Sequence, residues 1–254
     1  DIAWTKTVRL GMAYNDLTFE QCEAIAKWMS NSRVTGLNLG FNDLDGKVSP
    51  FVDTVIEKTN KGKNVFKYLS LNSTNLSVPK GAKSENNDVL ALLNVLCYCD
   101  NLKFLDLSNN PGLFPHSMRT LTAILPMSVS LVRLHLDYDN LSTTTVMQLA
   151  EVLPMCQRLN YISLLGTRLN IISASALATA VKNSNNIITM DIDYTNVPDR
   201  IKEKISIYSM RNTQSELEQI NKEGGNDEHL KLRSLQEELA RLLTENSASR
   251  RDYD

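Results

Sequence analysis

The sequence has little of the residues that mark specialised classes of protein. Among its 254 residues there are 10 glycines and 7 prolines, too few for a collagen-like or a largely disordered chain. Its 27 lysines and arginines nearly balance 29 aspartates and glutamates, so bulk positive charge does not favour nucleic acid. No apolar run approaches the ~20 residues that cross a bilayer. We therefore expect a globular chain that neither binds nucleic acid nor spans a membrane.

The 4 cysteines are expected to be reduced thiols in the core. Cys97 and Cys99 are separated by one residue, a spacing that fits neither a zinc knuckle nor a C-x-x-C redox pair. Cys22 and Cys156 lie in apolar helical patterns, where a free thiol acts as a small hydrophobe. This indicates an intracellular protein of the cytoplasm or nucleus. Because the chain opens at Asp1 without a methionine, we expect a fragment of a longer protein, with a removed targeting segment as one alternative.

The dominant feature of the sequence is an internal repeat. Seven segments follow the pattern L-x-L-x-x-(N/T/D)-x-L or a close variant, and their first apolar residues stand at positions 10, 37, 69, 105, 134, 162 and 190. The alternation in L-x-L predicts a short strand with two inward side chains. Apolar residues at helical spacing between several of these strands predict outer helices. No unit can bury its apolar face alone, so the units must stack around a shared core.

After each predicted strand stands a residue that can hydrogen-bond the turning backbone. These residues are Asn15, Asn42, Thr74, Asn110, Asp139, Thr167 and Thr195. The period and pattern resemble the leucine-rich repeat of the ribonuclease-inhibitor-like class. The resemblance implies an α/β horseshoe solenoid of seven repeats, with parallel strands on the concave face, helices outside and a helical cap at the C-terminal end.

Composition changes after the last repeat divide the chain into four parts. We predict a solenoid over residues 1–197, a helical cap over 198–222, an amphipathic helix over 227–246 and a disordered tail over 247–254. Leucines of the amphipathic helix recur at the spacing of a coiled-coil seam. We expect this helix to dock on the solenoid, with association with another copy or with a partner helix as alternatives. The seam consists of Leu232, Leu235, Leu239 and Leu242.

We find no motif for catalysis, for a metal or for a cofactor. The sequence contains no P-loop, dinucleotide fingerprint, H-E-x-x-H or G-x-S-x-G motif. Of its 3 histidines, only His135 is predicted on the concave sheet. We interpret it as a binding or solvated residue, with a general base as the alternative. The predicted protein is not an enzyme.

The repeat register aligns outward strand residues into columns, and these columns gather aromatic and acidic side chains on the concave face. Aromatic residues are frequent anchors of protein interfaces, and neighbouring carboxylates suit a partner that offers arginine or lysine. The alternative is a solvated surface on which the rings only cover neighbouring strands. The predicted partner-binding residues are Tyr68, Phe104, Asp106, Arg133, His135, Asp137, Tyr138, Tyr161, Asp191, Asp193 and Tyr194.

The segment VPDRIKEKISIYSMRN at residues 197–212 is similar to the cap of a fungal leucine-rich repeat family. Members of that group associate with protein phosphatase 1, so the resemblance implies a phosphatase regulatory or targeting subunit. The phosphatase-docking motif requires Phe or Trp where residues 6–10 end in Leu10, and we expect such a motif outside this fragment. The alternatives are a GTPase-activating protein of the leucine-rich repeat type and a cytoskeletal regulatory module.

Overall fold

A regular succession of strand and helix builds the protein. The computed structural model describes residues 9–61, 66–223, 235–238 and 240–241. The strands are β1 Arg9–Gly11, β2 Gly36–Asn38, β3 Tyr68–Ser70, β4 Phe104–Asp106, β5 Arg133–His135, β6 Tyr161–Ser163 and β7 Thr189–Asp191. The helices are α1 Phe19–Asn31, α2 Ser49–Asn60, α3 Asp88–Leu96, α4 Met118–Ile124, α5 Thr143–Val152, α6 Ile171–Asn183 and α7 Asp199–Glu223. The 3₁₀ turns Leu125–Met127 and Leu153–Met155 follow α4 and α5.

The seven strands form one parallel sheet in the order of the sequence. Each first apolar residue of the repeat pairs with its counterpart in the next strand, as Leu105 does with Leu134 and Leu134 with Ile162. The register therefore confirms the alignment of the repeats. With a helix between successive strands, this is the α/β leucine-rich repeat solenoid that the sequence predicts.

One continuous apolar core lies between the sheet and the helices. Leu134 and Leu136 of the fifth repeat are fully buried, as are Val146 and Leu149 on the helix that follows. A three-residue strand buries too little surface to be stable alone. Contact between neighbouring repeats therefore supplies most of the stabilisation of each unit.

Two helices, α2 and α4, are not indicated by apolar spacing in the sequence. The buried face of α2 holds Phe51, Thr54, Val55 and Lys58, which is helical spacing interrupted by two polar side chains. The Thr54 hydroxyl donates to the Ala26 carbonyl at 3.0 Å, which satisfies it in the core. The helix α4 spans 7 residues, too few to establish a period.

A buried row of side-chain amides closes the strands at their carboxyl ends. The Asn42 side-chain oxygen accepts from the amides of Asn15 at 2.9 Å and Leu17 at 3.4 Å, and its NH₂ group donates to the Met12 carbonyl at 2.8 Å. Asn110 makes the equivalent bonds two repeats further along the solenoid. These bonds join each repeat to the one before it and satisfy backbone groups where the chain leaves the sheet.

This row of hydrogen bonds is less complete in the repeats that have another residue in place of asparagine. The Asn110 amide donates to Asp139 Oδ1 at 2.7 Å, but Asp139 Oδ2 is buried without a hydrogen-bond partner. Burial, supported by the charges of Asp106 and Asp137, raises the pKa of Asp139 to about 8 despite the Asn110 bond. At neutral pH the buried carboxyl is therefore mostly protonated. The Thr167 hydroxyl is also buried without a partner, so the hydrogen bond expected at this position is absent.

The long helix α7 covers the last repeat. Ile201 and Ile205 of its first turns are buried in the main core. Further along, Arg211 donates to the Ser184 carbonyl at 2.8 Å and Asn212 donates to the Ile187 carbonyl at 2.8 Å. These contacts satisfy carbonyls around the C-terminal end of α6, which the helix itself leaves without partners.

The chain returns to the solenoid after α7. Residues 235–238 and 240–241 are helical, and Leu235 is buried in a small cluster with Ile188 and Ile220. The Thr189 hydroxyl donates to Glu238 Oε1 at 2.7 Å. Within the described residues no helix is long and apolar enough to cross a membrane. The other seam leucines, Leu232, Leu239 and Leu242, and the tail at 247–254 lie outside the described residues.

Candidate protein-binding face

A ladder of neighbouring rings, one pair stacked and the others tilted, crosses the concave face from β3 to β6. The ring centroids of Tyr68 and Phe104 are 4.4 Å apart with an interplanar angle of 11°. His135 lies 5.0 Å from Phe104 on one side and 5.0 Å from Tyr161 on the other. We call these four residues the aromatic ladder. All four are partly exposed, so the ladder both supports the sheet and offers an apolar surface to solvent.

Two arginines of the same face stack on rings of the ladder. The Arg9 guanidinium lies 4.6 Å from the Tyr68 ring centre, and the Arg133 guanidinium lies 5.1 Å from that of Tyr161. Arg133 stands beside Phe104 and Tyr161 in the column of residues that begin each strand. Stacking on a ring holds each guanidinium in a defined position.

The predicted carboxylates of the concave face also accept hydrogen bonds from within the chain. Asp106 accepts from the Ser70 hydroxyl and the Ser108 amide, both at 3.0 Å. The Tyr161 hydroxyl donates to Asp191 Oδ2 at 2.5 Å. Burial and this bond raise the pKa of Tyr161 to about 12, so the phenol keeps its proton at neutral pH. The sequence does not reveal that the carboxylates help to hold the face together.

Asp137 is the most heavily bonded of the carboxylates. Its Oδ1 accepts from the Ser163 hydroxyl at 2.5 Å and the Leu165 amide at 2.8 Å. Burial acts to raise the pKa of Asp137, but these bonds and the neighbouring His135 outweigh it and hold the pKa below its ordinary value. Asp193 is more accessible and accepts from the Gly166 amide at 2.7 Å. Asp137 is therefore a structural ionised group, whereas Asp193 is available to a partner.

His135, Asp137 and Ser163 stand close together without forming a nucleophile and its base. The His135 Nδ1 atom lies 3.8 Å from Asp137 Oδ2, beyond hydrogen-bond distance. Ser163 donates to Asp137 rather than to His135, and catalysis requires the nucleophile to donate to the base. Among the described residues no group of three or more histidine, cysteine or acidic side chains is arranged to hold a metal.

Tyr138 and Tyr194 lie at the edge of the face, away from the ladder. Tyr138 is 62% exposed, and a Cβ added to Gly166 would stand 2.3 Å from its ring. The ring therefore covers the glycine of the next repeat. The Lys202 ammonium lies 6.0 Å from the Tyr194 ring centre, at the start of the cap.

The sequence-predicted site residues do not include a second aromatic pair, Tyr14 and Phe41. Tyr14 and Phe41 stack with centroids 4.2 Å apart at the N-terminal end of the solenoid, and they are 73% and 45% exposed. Both have positive φ, as does Tyr138 at the equivalent repeat position. Ser73, Asn109 and Gly166 share this position and a positive φ, so the conformation belongs to the turn of the repeat. The signal in the sequence was the shared position of the three aromatic residues after their strands.

Comparison with known proteins identifies the repeats more closely. Residues 1–167 match the family described as the MHP1/HER1/GIP3 LRR domain. The whole chain is 53% identical to the MAP-homologous protein 1 of Saccharomyces cerevisiae. Over 81% of the chain it is 29% identical to the HMG2-induced ER-remodeling protein 1 of the same yeast. The chain spans 18% of the length of each relative.

Solved structures agree on the fold. The leiomodin-1 actin-binding site 2 matches 67% of this chain and 94% of its own with a TM-score of 0.57 and 12% identity. The tropomodulin C-terminal domain of Caenorhabditis elegans matches 65% of this chain and 94% of its own with a TM-score of 0.53 and 14% identity. Because the family match covers most of the chain, this protein belongs to the MHP1/HER1/GIP3 family of leucine-rich repeat domains.

Proposed function

We propose that this chain is a non-catalytic protein-interaction domain whose concave strand face binds a protein partner. The observation that carries the proposal is the aromatic ladder, four rings in contact across four strands and partly exposed along their length. Rigid aromatic side chains bury a large area at a low entropic cost, which is why they dominate the energetics of interfaces. The leucine-rich repeat fold supports a role in protein binding.

The carboxylates beside the ladder define the chemistry of the partner. Asp191 and Asp193 stand on and just after the last strand. Oδ2 of each accepts a hydrogen bond, and Oδ1 has none from the residues that the structure describes. A partner segment with lysine or arginine next to apolar anchors would pair with these oxygens while its apolar residues cover the rings. Opposite charges speed the encounter and fix the register of such a complex.

Charge reversal at the two carboxylates of the last repeat, partly exposed Asp191 and exposed Asp193, tests the proposal. We expect the double variant Asp191→Lys and Asp193→Lys to lose its partner in affinity capture from lysate, followed by mass spectrometry and a direct binding measurement. The loss should be roughly tenfold or more, because two attractive contacts become repulsive. Asp137 is left intact, since its bonds to Ser163 and Leu165 hold the fold.

A matched control is available on the same side of the solenoid. The variant Asp43→Lys and Asp45→Lys makes the same change of charge at two exposed aspartates after β2, which also accept side-chain hydrogen bonds from the next repeat. It should keep the partner. Equal recovery of every protein from the parent, the test variant and the control would contradict binding at the concave face.

A phosphatase regulatory or targeting subunit is the finer form of this proposal. Its support is the similarity of residues 197–212 to the cap of a phosphatase-associated fungal family. The test is direct binding of protein phosphatase 1 to this chain, measured with the purified proteins. Absence of binding would exclude the phosphatase as a partner of these residues.

A cytoskeletal regulatory module is the second candidate. The observation that favours it is the structural similarity to the leiomodin-1 actin-binding site 2. Co-sedimentation of the chain with actin filaments tests this candidate. A GTPase-activating role, the remaining alternative, would be detected as faster GTP hydrolysis by a small GTPase in the presence of the chain.

A further inference from the structure

The loops that lead from each helix into the next strand form a second surface, which the concave-face residues do not include. We call the loops before β3 to β6 the strand-start rim, of which residues 66–67, 97–103, 125–132 and 153–160 are described here. A row of apolar side chains follows this rim from repeat to repeat, and basic side chains lie in three of its loops.

The apolar row consists of three large side chains at equivalent positions. Tyr98, Met127 and Met155 each stand six residues before the first residue of the next strand, and they are 58%, 59% and 55% exposed. The 3₁₀ turns that contain the two methionines contact each other. A single exposed apolar residue needs no explanation, but a continuous row of them is typical of an interaction site.

Three basic side chains lie in the same loops, before β3, β4 and β6, and the loop before β5 has none. Lys67 and Lys103 immediately precede β3 and β4, and the Lys103 amide donates to the Lys67 carbonyl at 2.9 Å. Arg158 stands in the loop before β6. Burial, together with the charges of Lys67 and Arg158, lowers the pKa of Lys103, so the cations are close enough to repel one another. In the part of the chain that the structure describes, none of the three forms an ion pair.

The protein already places an apolar residue and a carboxylate at the far end of this edge. Leu235 packs on Ile188, the residue directly before β7, and Glu238, three residues later, accepts from Thr189. Burial acts to raise the pKa of Glu238, but hydrogen bonds from Arg241 and Thr189, with the charges of Arg241 and Arg133, hold it below its ordinary value. A helical segment therefore packs at the edge before β7 through Leu235, while Glu238 bonds the first residue of that strand.

We propose that the described part of the strand-start rim, from Lys67 to the loop before β6, docks an amphipathic helix of a partner protein that carries glutamate or aspartate beside its apolar residues. The inference rests on the proposed function as a protein-interaction domain and names a second class of ligand for it. Neighbouring strands lie about 5 Å apart, close to the 5.4 Å rise of one helical turn. A helix along the rim thus meets one repeat with each turn, its apolar residues on the methionines and its carboxylates on the lysines.

Charge favours an acidic helix over a nucleic acid or an anionic membrane. The whole chain has a net charge of −2, and Asp106 and Asp137 stand on and just after the strands that the rim precedes. A long polyanion would meet these carboxylates. A short helix with a few acidic residues would not meet these carboxylates. Its apolar residues would also cover the three exposed apolar side chains of the rim.

The test measures binding of a defined acidic helix to the complete 254-residue chain. The probe is a fluorescein-labelled peptide about 20 residues long, enough for appreciable helix, that repeats leucine and glutamate three residues apart. In fluorescence anisotropy we expect the Lys67→Glu and Lys103→Glu double variant to bind it at least about tenfold more weakly than the parent. Met127→Ser with Met155→Ser should cause a similar loss, and a peptide with glutamine for glutamate should bind weakly.

The matched control is the double variant Lys80→Glu and Lys83→Glu, which makes the same charge change at two exposed lysines in the loop after β3. It should bind the peptide as the parent does. No binding by the parent, or an equal loss in the control, would overturn the inference. So would tighter binding of a DNA duplex or of phosphatidylserine vesicles that depends on Lys67 and Lys103.

Failure here is separable from failure of the concave-face proposal. If the acidic peptide does not bind while the Asp191 and Asp193 variant still loses a partner, only the inference about the rim is wrong. If the peptide binds as expected and the concave-face variant loses nothing, the rim stands and the concave face does not.

Discussion

At the scale of single residues, the clearest conflict with the repeat lies at Asp139. Asparagine at this position, as at 42 and 110, offers both an acceptor and donors to the buried backbone. Ionised aspartate offers acceptors alone, and its Oδ2 is left without a partner. The chain accommodates the carboxyl by keeping its proton, with a pKa of about 8. Protonation removes the cost of a buried charge, but Oδ2 still has no hydrogen-bond partner.

We predict that Asp139→Asn stabilises the fold and flattens its pH dependence. In the unfolded chain an aspartate ionises near pH 4, whereas folded Asp139 keeps its proton to about pH 8. Between these values the unfolded state binds fewer protons, so this group lowers stability as pH rises. At pH 8 the variant should gain about 1–3 kcal/mol in the free energy of unfolding.

Urea denaturation of both proteins from pH 4 to pH 9 measures this difference. The two stability curves should nearly meet at pH 4 and diverge toward pH 8. Parallel curves would mean that Asp139 is already ionised in the folded protein at neutral pH.

At the scale of elements, each strand and helix is stabilised by contacts with the neighbouring repeats. A strand of three residues is not stable by itself. The alternation of its side chains predicts only which residues point inward. The inward residues were predictable because strand periodicity and a period of about 30 residues coincide. The helix α2 was not predictable in this way, because its buried face includes Lys58, whose ammonium donates to the Val34 carbonyl at 3.3 Å.

We predict that Leu134→Asp destabilises the whole solenoid. Leu134 is fully buried and pairs with Leu105 and Ile162, so the new carboxylate would have no partner and no water. The free energy of unfolding should fall by about 4 kcal/mol or more. The control Met147→Asp, on the exposed side of α5, should change it little. Equal melting temperatures for the two variants would refute the repeat alignment.

At the scale of the whole molecule, the end of the solenoid depends on residues distant in sequence. Ile188 and Ile220 form an apolar cluster apart from the main core, with Leu235 as its third buried member. Leu217 packs beside them. The segment around Leu235 thereby closes the last repeat at the edge where its strand begins.

We predict that Leu235→Ser loosens this end of the solenoid without unfolding the rest. Burial of one leucine stabilises by about 2 kcal/mol, so amide hydrogen exchange at residues 186–191 should become faster while that at β3 and β4 stays constant. Gln236→Ser, at the neighbouring exposed position, is the control and should leave exchange unchanged. Protection that is identical in both variants would show that Leu235 does not hold this end.

The candidate site was only partly predictable for a related reason. The columns of Tyr68, Phe104 and Tyr161 follow from the repeat, and the observed register places them as expected. Hydrogen bonds such as that from Tyr161 to Asp191 join residues 30 positions apart and depend on side-chain directions that no pattern encodes. The strand-start rim was not predicted, because the sequence pattern does not show which loop residues are exposed.

The sequence by itself determined the repeat, the order and register of the strands, and the inward side chains, because each follows from a period that local geometry imposes. Only the tertiary structure decided which polar groups are hydrogen-bonded within the fold and which are exposed to solvent. Asp137 and Asp193 are both aspartates directly after a strand, yet one is bound by Ser163 and Leu165 while the other is exposed. That distinction depends on the distance and burial of neighbouring repeats, which exist only once the units have stacked.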